Sequence, residues 1–160
     1  MTYVFAVFAA ILIYFSLRSL IGGFEYLRYF RRSLTETPHE FTPFASIIAP
    51  CRGVDQGMRE NLRALLTQEY PAYEVIFVVD DENDAAVPMI ENAAAGFSNS
   101  RIVVASHAVR SSQKVENLRV AVKYASSGSR VFVFADSDAR PSATWLSSLV
   151  APLSDPNIGA

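Results

Sequence analysis

Four short runs of nearly unbroken apolar residues, each followed by a polar turn and a helix-like stretch, constrain this chain more than any other feature. They are FASIIAP (44–50), YEVIFVVD (73–80), RIVVAS (101–106) and VFVFAD (131–136). Strands that are apolar at successive positions are buried on both faces, the condition of a parallel sheet covered by helices. The segments between them carry helical periodicity. Met58, Leu62, Leu65 and Leu66 mark a helix over 56–69 that Tyr70-Pro71 ends. An alanine-rich helix over 84–97 is closed by Gly96. Val115, Leu118, Val122 and Ala125 define one face of a helix over 113–126. A last helix, 142–152, starts at Ser142 and turns Trp145, Leu146 and Leu149 inward. Alternating strands and helices with right-handed crossovers predict a doubly wound α/β fold with strand order 3-2-1-4.

Ligands of such sheets bind beyond the carboxyl ends of the strands, where the winding reverses. Here that point lies between the first and fourth strands. The residues beyond the relevant ends are Pro50-Cys51-Arg52, Asp80-Asp81 and Asp136-Ser137-Asp138. Three polar segments that are distant in sequence therefore converge on one crevice.

Asp136 and Asp138 set two carboxylates one residue apart on a turn, where both can face one divalent cation bridging nucleotide phosphates. The bland alternative is an Asx-type turn leading into a helix. Asp80, Asp81, Glu82 and Asp84 crowd the end of the second strand and repel one another unless donors or a cation offset them. Asp81 is the candidate for hydrogen bonding a base or ribose, and Asp84 doubles as an N-cap for the next helix. Lys114 opens the third helix, where a cation is electrostatically misplaced and a bound phosphate would explain it. An ordinary exposed lysine is the other reading. Arg52 follows the first strand and can reach a diphosphate or pair with the acids. Cys51 reads as a packing residue, His107 as a loop residue and Trp145 as core.

The rest of the composition excludes several classes. A net charge of −2 gives no basic field for nucleic acid. One cysteine rules out an internal disulfide framework. Two histidines, His39 and His107, cannot build a His/Cys metal cluster, so any metal is a hard, oxygen-held ion such as Mg²⁺ or Mn²⁺.

Residues 1–17 carry no charged side chain, and the apolar stretch continues past Arg18 to Phe24. About 20 apolar residues span a bilayer, and Arg18 can snorkel. Residues 1–32 are therefore expected to be a transmembrane anchor with a basic juxtamembrane end. A signal peptide and a buried core helix are the rival readings; a basic n-region and a clear cleavage site are both missing. Arg18, Arg28, Arg31 and Arg32 all follow the apolar start, so the positive-inside rule places the rest of the chain in the cytoplasm. Residues 33–43, polar and holding two prolines, read as a linker to a soluble domain over 44–160.

The run PCRGVDQGMRENLRALLTQEYPAYEVIFVVDD (50–81), with SQKVENL (112–118) and FADSDARP (134–141), resembles the start of family 2-type inverting glycosyltransferases, most of all the ceramide glucosyltransferase branch. The resemblance covers 44–160, and an anchor before it also fits. It implies a GT-A fold, a nucleotide-sugar donor (commonly UDP-glucose), a lipid acceptor and Mg²⁺ or Mn²⁺. On that resemblance Pro50, Arg52, Asp81, Asp84, Lys114 and Asp136 are donor-binding residues. Asp136 and Asp138 are the metal pair. The resemblance also implies a third aspartate as general base and a Q/R-x-x-R-W motif farther on, and neither occurs in these 160 residues. The expectation is thus a truncated, N-terminal part that binds donor and metal but does not turn over substrate alone. Two other classes stay open: a receiver-like domain phosphorylated on Asp136, and a non-catalytic, membrane-tethered nucleotide-binding module.

Overall fold

The computed structural model describes residues 2–35 and 41–158. The chain divides into two compact units, Met1–Thr37 and Pro38–Ala160.

The first unit is one helix, α1 (Thr2–Thr35). At 1.5 Å per residue its 34 residues extend about 50 Å, more than the ~30 Å hydrocarbon core of a bilayer. Tyr3–Arg32 is long and apolar enough to be a candidate membrane span. The helix takes in 33–35 of the expected linker, and 36–40 lie outside the described residues.

The second unit contains β1 (Ala45–Pro50), α2 (Met58–Leu66), β2 (Tyr73–Val79), α3 (Ala86–Ala94) and β3 (Ser100–Val104). These are followed by α4 (Gln113–Tyr124), β4 (Val131–Phe134), α5 (Trp145–Val150) and a 3₁₀ turn over Ala151–Ser154. The four strands form one parallel sheet in the order β3-β2-β1-β4. That is the expected order, and it differs from the 2-1-3-4-5 order of a receiver.

Side-chain alternation sorts the sheet into two faces. Ala45, Ile47 and Ala49 of β1, with Val75, Phe77 and Val79 of β2, pack under Leu62, Leu65 and Leu66 of α2, Ile90 of α3, and Leu146 and Val150 of α5. Ile48, Ile76, Val78 and Val103 pack on the opposite face with Ala121 of α4. Each fully buried Leu or Ile in these layers contributes about 1.5–3 kcal/mol of apolar transfer. Phe132 and Phe134 of β4 also point to the α4 face but stay 42% and 55% exposed, because α4 does not reach over them.

Three expected helices need correction, two of them in the face they bury. In α4, Asn117 and Ala121 are buried while Val115 is 45% exposed; Leu118, Val122 and Ala125 pack at the margin. In α5, Val150 rather than Leu149 turns inward, and the helix begins at Trp145 rather than Ser142. α2 begins at Met58, because Gly57 holds φ at 76° and breaks the helical path just before it. Gly96, at φ 90°, stops the chain after α3 as expected.

A polar knot closes the amino ends of the strands. Glu74 of β2 is 4% exposed. It accepts from Ser46 Oγ (2.7 Å), the Ser126 backbone N–H (2.6 Å) and Arg101 Nη2 (2.6 Å). Ser126 lies just past α4, so this carboxylate pins the carboxyl end of that helix under the sheet.

Candidate functional site

At the other end of the strands, alternation decides which residues face one another. Even-numbered residues of β1, β2 and β4 look toward α4. Carried past the strand ends, that parity brings Pro50, Asp80 and Asp136 to the same side, beneath the amino end of α4. There they line a cleft of about 320 Å³, together with Cys51, Arg52, Asp55, Gln113, Lys114, Asn117, Ser137 and Asp138. The cleft sits where the winding reverses between β1 and β4, as the strand order requires.

The β4–α5 loop is fixed from below. Asp136 begins a turn in which its carbonyl accepts from the Ala139 N–H (3.0 Å), and the Ser137 carbonyl accepts from Asn61 Nδ2 of α2 (3.4 Å). Gln68, also buried, donates to the Ser142 carbonyl and accepts from the Leu146 N–H. The Asp136 and Asp138 side chains are left exposed at the rim.

The amino end of α4 is fixed by its own side chains. Ser112 caps the helix, accepting from the Val115 N–H. Gln113 accepts from the Ala108 N–H and donates to the Ser106 carbonyl and to Asn117 Oδ1, so one amide ties the incoming loop to the first helical turn. Lys114, the next residue, reaches across to Asp136, Nζ to Oδ1 at 2.5 Å. Both side chains are well exposed, so the pair stabilises the fold by no more than about 1 kcal/mol.

The acids after β2 separate by task. Asp80 lines the cleft. Asp81 is exposed and accepts from the backbone N–H (2.8 Å) and Nδ2 (3.2 Å) of Asn83. The Asn83 backbone bond, then its side-chain bond and finally the His107 charge hold the Asp81 carboxyl below its usual range. Asp84 Oδ1 accepts from the Gly53 N–H (2.7 Å) and the Ala86 N–H (2.7 Å). It therefore holds the first amide of α3 from just outside the helix, whose N-cap position is Ala85, and joins the β1–α2 loop to the β2–α3 loop. Burial, and less so the Asp84 charge, pushes the Cys51 thiol up to about 12, which leaves it a protonated packing group in the cleft wall.

Pro50, Arg52, Lys114, Asp136 and Asp138, anticipated from the sequence, thus come together, while Asp81 and Asp84 stand outside the lining. Asp55, Asp80, Gln113 and Asn117 join the lining without having been singled out as site residues. For Asp80 the sign was available: it continues the parity of Ile76 and Val78. Asn117 is a polar residue that is only 5% exposed, which no hydrophobic pattern reveals.

The charged lining holds two cations, Arg52 and Lys114, against four carboxylates, Asp55, Asp80, Asp136 and Asp138. An anionic nucleotide therefore meets net negative charge there unless a divalent cation comes with it. Among the described residues no three Asp, Glu, His or Cys side chains form a ready-made metal set. A hard cation serving a nucleotide does not need one, since one or two carboxylates complete a shell otherwise made of phosphate oxygens and water. Asp136 and Asp138 fit that demand.

The glycosyl transferase family 21 model matches residues 2–160. The chain belongs to glycosyl transferase family 21. This family 21 chain is 27% identical over 90 residues to ceramide glucosyltransferase 1 of Caenorhabditis elegans, a match over 55% of this chain and 19% of that protein. It is 30% identical over 70 residues to the ceramide glucosyltransferase of Komagataella phaffii, over 44% of this chain and 14% of that one. The matched stretch is less than a fifth of the length of either relative. Among solved structures it is similar to the mannosyltransferase PcManGT of Pyrobaculum calidifontis in complex with GDP-Man and Mn²⁺. The TM-score is 0.63 at 24% identity, over 90% of this chain and 44% of that one. S. aureus TarS 1-349 in complex with UDP gives a TM-score of 0.55 at 23% identity, over 69% of this chain and 32% of that one. At such identities the likeness concerns the fold, and it agrees with the GT-A architecture that the sequence implies.

Proposed function

We propose that this chain is the donor-binding half of a membrane-anchored, inverting hexosyltransferase that moves glucose from UDP-glucose to a lipid acceptor such as ceramide. The observation that carries the reading is the cleft at the switch point. There an Asp-Ser-Asp turn, a lysine in the first turn of a helix and an arginine after β1 face one space. The family 21 membership and the ceramide glucosyltransferases among its relatives support the choice of donor and acceptor.

The roles follow from position. The diphosphate lies against the amino end of α4, where free N–H groups and the helix dipole favour negative charge. Lys114 and Arg52 flank it. Asp80 meets the base or ribose from inside the cleft, and Asp81 from the exposed rim beside it. Asp84 keeps the two loops of that wall together. Asp136 and Asp138 would hold Mg²⁺ or Mn²⁺, which supplies charge neutralisation at the diphosphate and stabilises departing UDP. No described residue of the cleft is proposed as the base that takes the acceptor proton in an inverting displacement. The apolar α1 is proposed to anchor the chain, with the basic residues after its apolar start placing the second unit in the cytoplasm.

Thermal melting of the chain in detergent tests the donor reading. UDP with Mn²⁺ at 100 times its dissociation constant stabilises the folded state by about 2.7 kcal/mol. GDP and ADP stabilise less. If millimolar UDP with Mn²⁺ leaves the melting curve where Mn²⁺ alone leaves it, the proposal is wrong.

A further inference from the structure

Lys114 stands where a lysine is electrostatically unwelcome. It is the second residue of α4, at the positive end of the helix dipole. Its ammonium closes on Asp136, and the two side chains are 59% and 60% exposed, so packing does not hold them together. Asp136 is also one of the two carboxylates assigned above to the divalent cation. The second carboxylate oxygen stays open, but a divalent ion approaching to about 2.1 Å must bring two more positive charges beside the ammonium already there.

We infer that Lys114 is a resident counter-cation for Asp136, which keeps free divalent metal out of the cleft and moves to the donor phosphates when metal and nucleotide arrive together. The inference rests on the donor-binding reading and deepens it. The short reach is what permits the exchange. A phosphate seated at the amino end of α4 lies beside Lys114 itself, so the ammonium trades one anion for another by side-chain rotation. Asp136 is then freed for the cation that accompanies the phosphate. Metal and nucleotide thereby assist each other, and the assistance is reciprocal. Removing the ammonium must therefore split the two affinities in opposite directions. A lysine that serves only as a phosphate ligand would leave binding of metal alone unchanged. A lysine with a merely structural role would move both affinities together or neither.

The test uses the full chain in detergent, wild type beside Lys114→Gln and Lys114→Arg, with circular dichroism to establish that each variant is folded. Free Mn²⁺ is followed by the electron paramagnetic resonance of the aquo ion, and UDP by calorimetry at saturating Mn²⁺. Lys114→Gln is expected to bind Mn²⁺ alone about 3–10-fold more tightly, through loss of a neighbouring positive charge, and UDP about 10-fold more weakly. Lys114→Arg keeps the charge and stays within about 2-fold of wild type on Mn²⁺ alone. If Lys114→Gln binds Mn²⁺ no more tightly than wild type while wild type still binds UDP, the inference fails and the donor reading stands. If wild type binds no UDP with Mn²⁺, both fail.

Discussion

Replacing Glu74 by alanine removes the acceptor at the centre of the polar knot beneath the sheet, and the cost can be built up donor by donor. Ser46 Oγ also lies 2.9 Å from Ser129 Oγ, so it keeps a partner and loses little. The Ser126 N–H loses its acceptor in a half-buried position, which costs about 1–3 kcal/mol. Arg101 is 49% exposed and still donates to the Tyr124 carbonyl, so its share is under about 1 kcal/mol. The lost methylene adds about 0.8 kcal/mol. Glu74→Ala should therefore destabilise the second unit by about 2–4 kcal/mol, or roughly 8–16 °C in Tm for a unit of this size. Arg101→Ala should cost less, about 1 kcal/mol, because two donors still face the Glu74 carboxylate. Melting curves of both variants in the same detergent decide it. A Glu74→Ala loss below about 1 kcal/mol, or an Arg101→Ala loss as large as that of Glu74→Ala, would refute the ranking of these donors. The result also bears on the site. Ser126 is the anchor of the carboxyl end of α4, so a loosened helix carries Lys114 and Asn117 with it, and UDP affinity should fall in Glu74→Ala beyond what partial unfolding explains.

Asp136→Asn should leave stability within about 0.5 kcal/mol, since the side chain is exposed, yet weaken Mn²⁺-supported UDP binding at least about 10-fold by calorimetry. Cys51 should resist iodoacetamide at pH 8 until the chain is unfolded, because its thiol is pushed up to about 12; rapid alkylation of the folded chain, seen by mass spectrometry, would contradict that. Asp81 has a folded-state pKa below its unfolded value, so its stabilising contribution is present above the unfolded value and is lost as pH falls through the folded one. The Tm difference between wild type and Asp81→Asn should accordingly shrink as melts are taken from pH 7 to pH 3. Gly57→Ala should cost about 1 kcal/mol, because φ is 76° there and only glycine adopts that angle freely.

The strands and their order were legible because burial on both faces writes itself into uninterrupted apolar runs, and right-handed crossovers leave few ways to arrange them. Helix faces were legible only where the sheet covers a helix fully. α4 covers the sheet with Asn117 and Ala121, so the four apolar residues read as its inner face include one, Val115, that faces out. In α5 the short helix gives fewer than two turns of periodicity, too little to choose between Leu149 and Val150. The convergence of Pro50, Arg52, Asp80 and Asp136 followed from topology, whereas Lys114 was added only by the family resemblance. The division of labour between Asp80 and Asp84 did not follow from topology, because it depends on where the loop leaves the strand and on a bond to Gly53, 31 residues earlier.

The balance of charge around the cleft also sets how quickly a ligand can arrive. With four carboxylates against two cations, the mouth repels an uncomplexed nucleotide approaching from bulk solution. Ionic strength screens such repulsion over a Debye length of about 10 Å at 0.1 M salt. Added monovalent salt should thus raise the association rate of free UDP, opposite to the slowing seen when a basic cleft steers an anion inward. For the metal complex, which carries less negative charge, the rate should vary far less with salt. Stopped-flow traces at a few salt concentrations would thus reveal which form of the donor the mouth of this cleft admits.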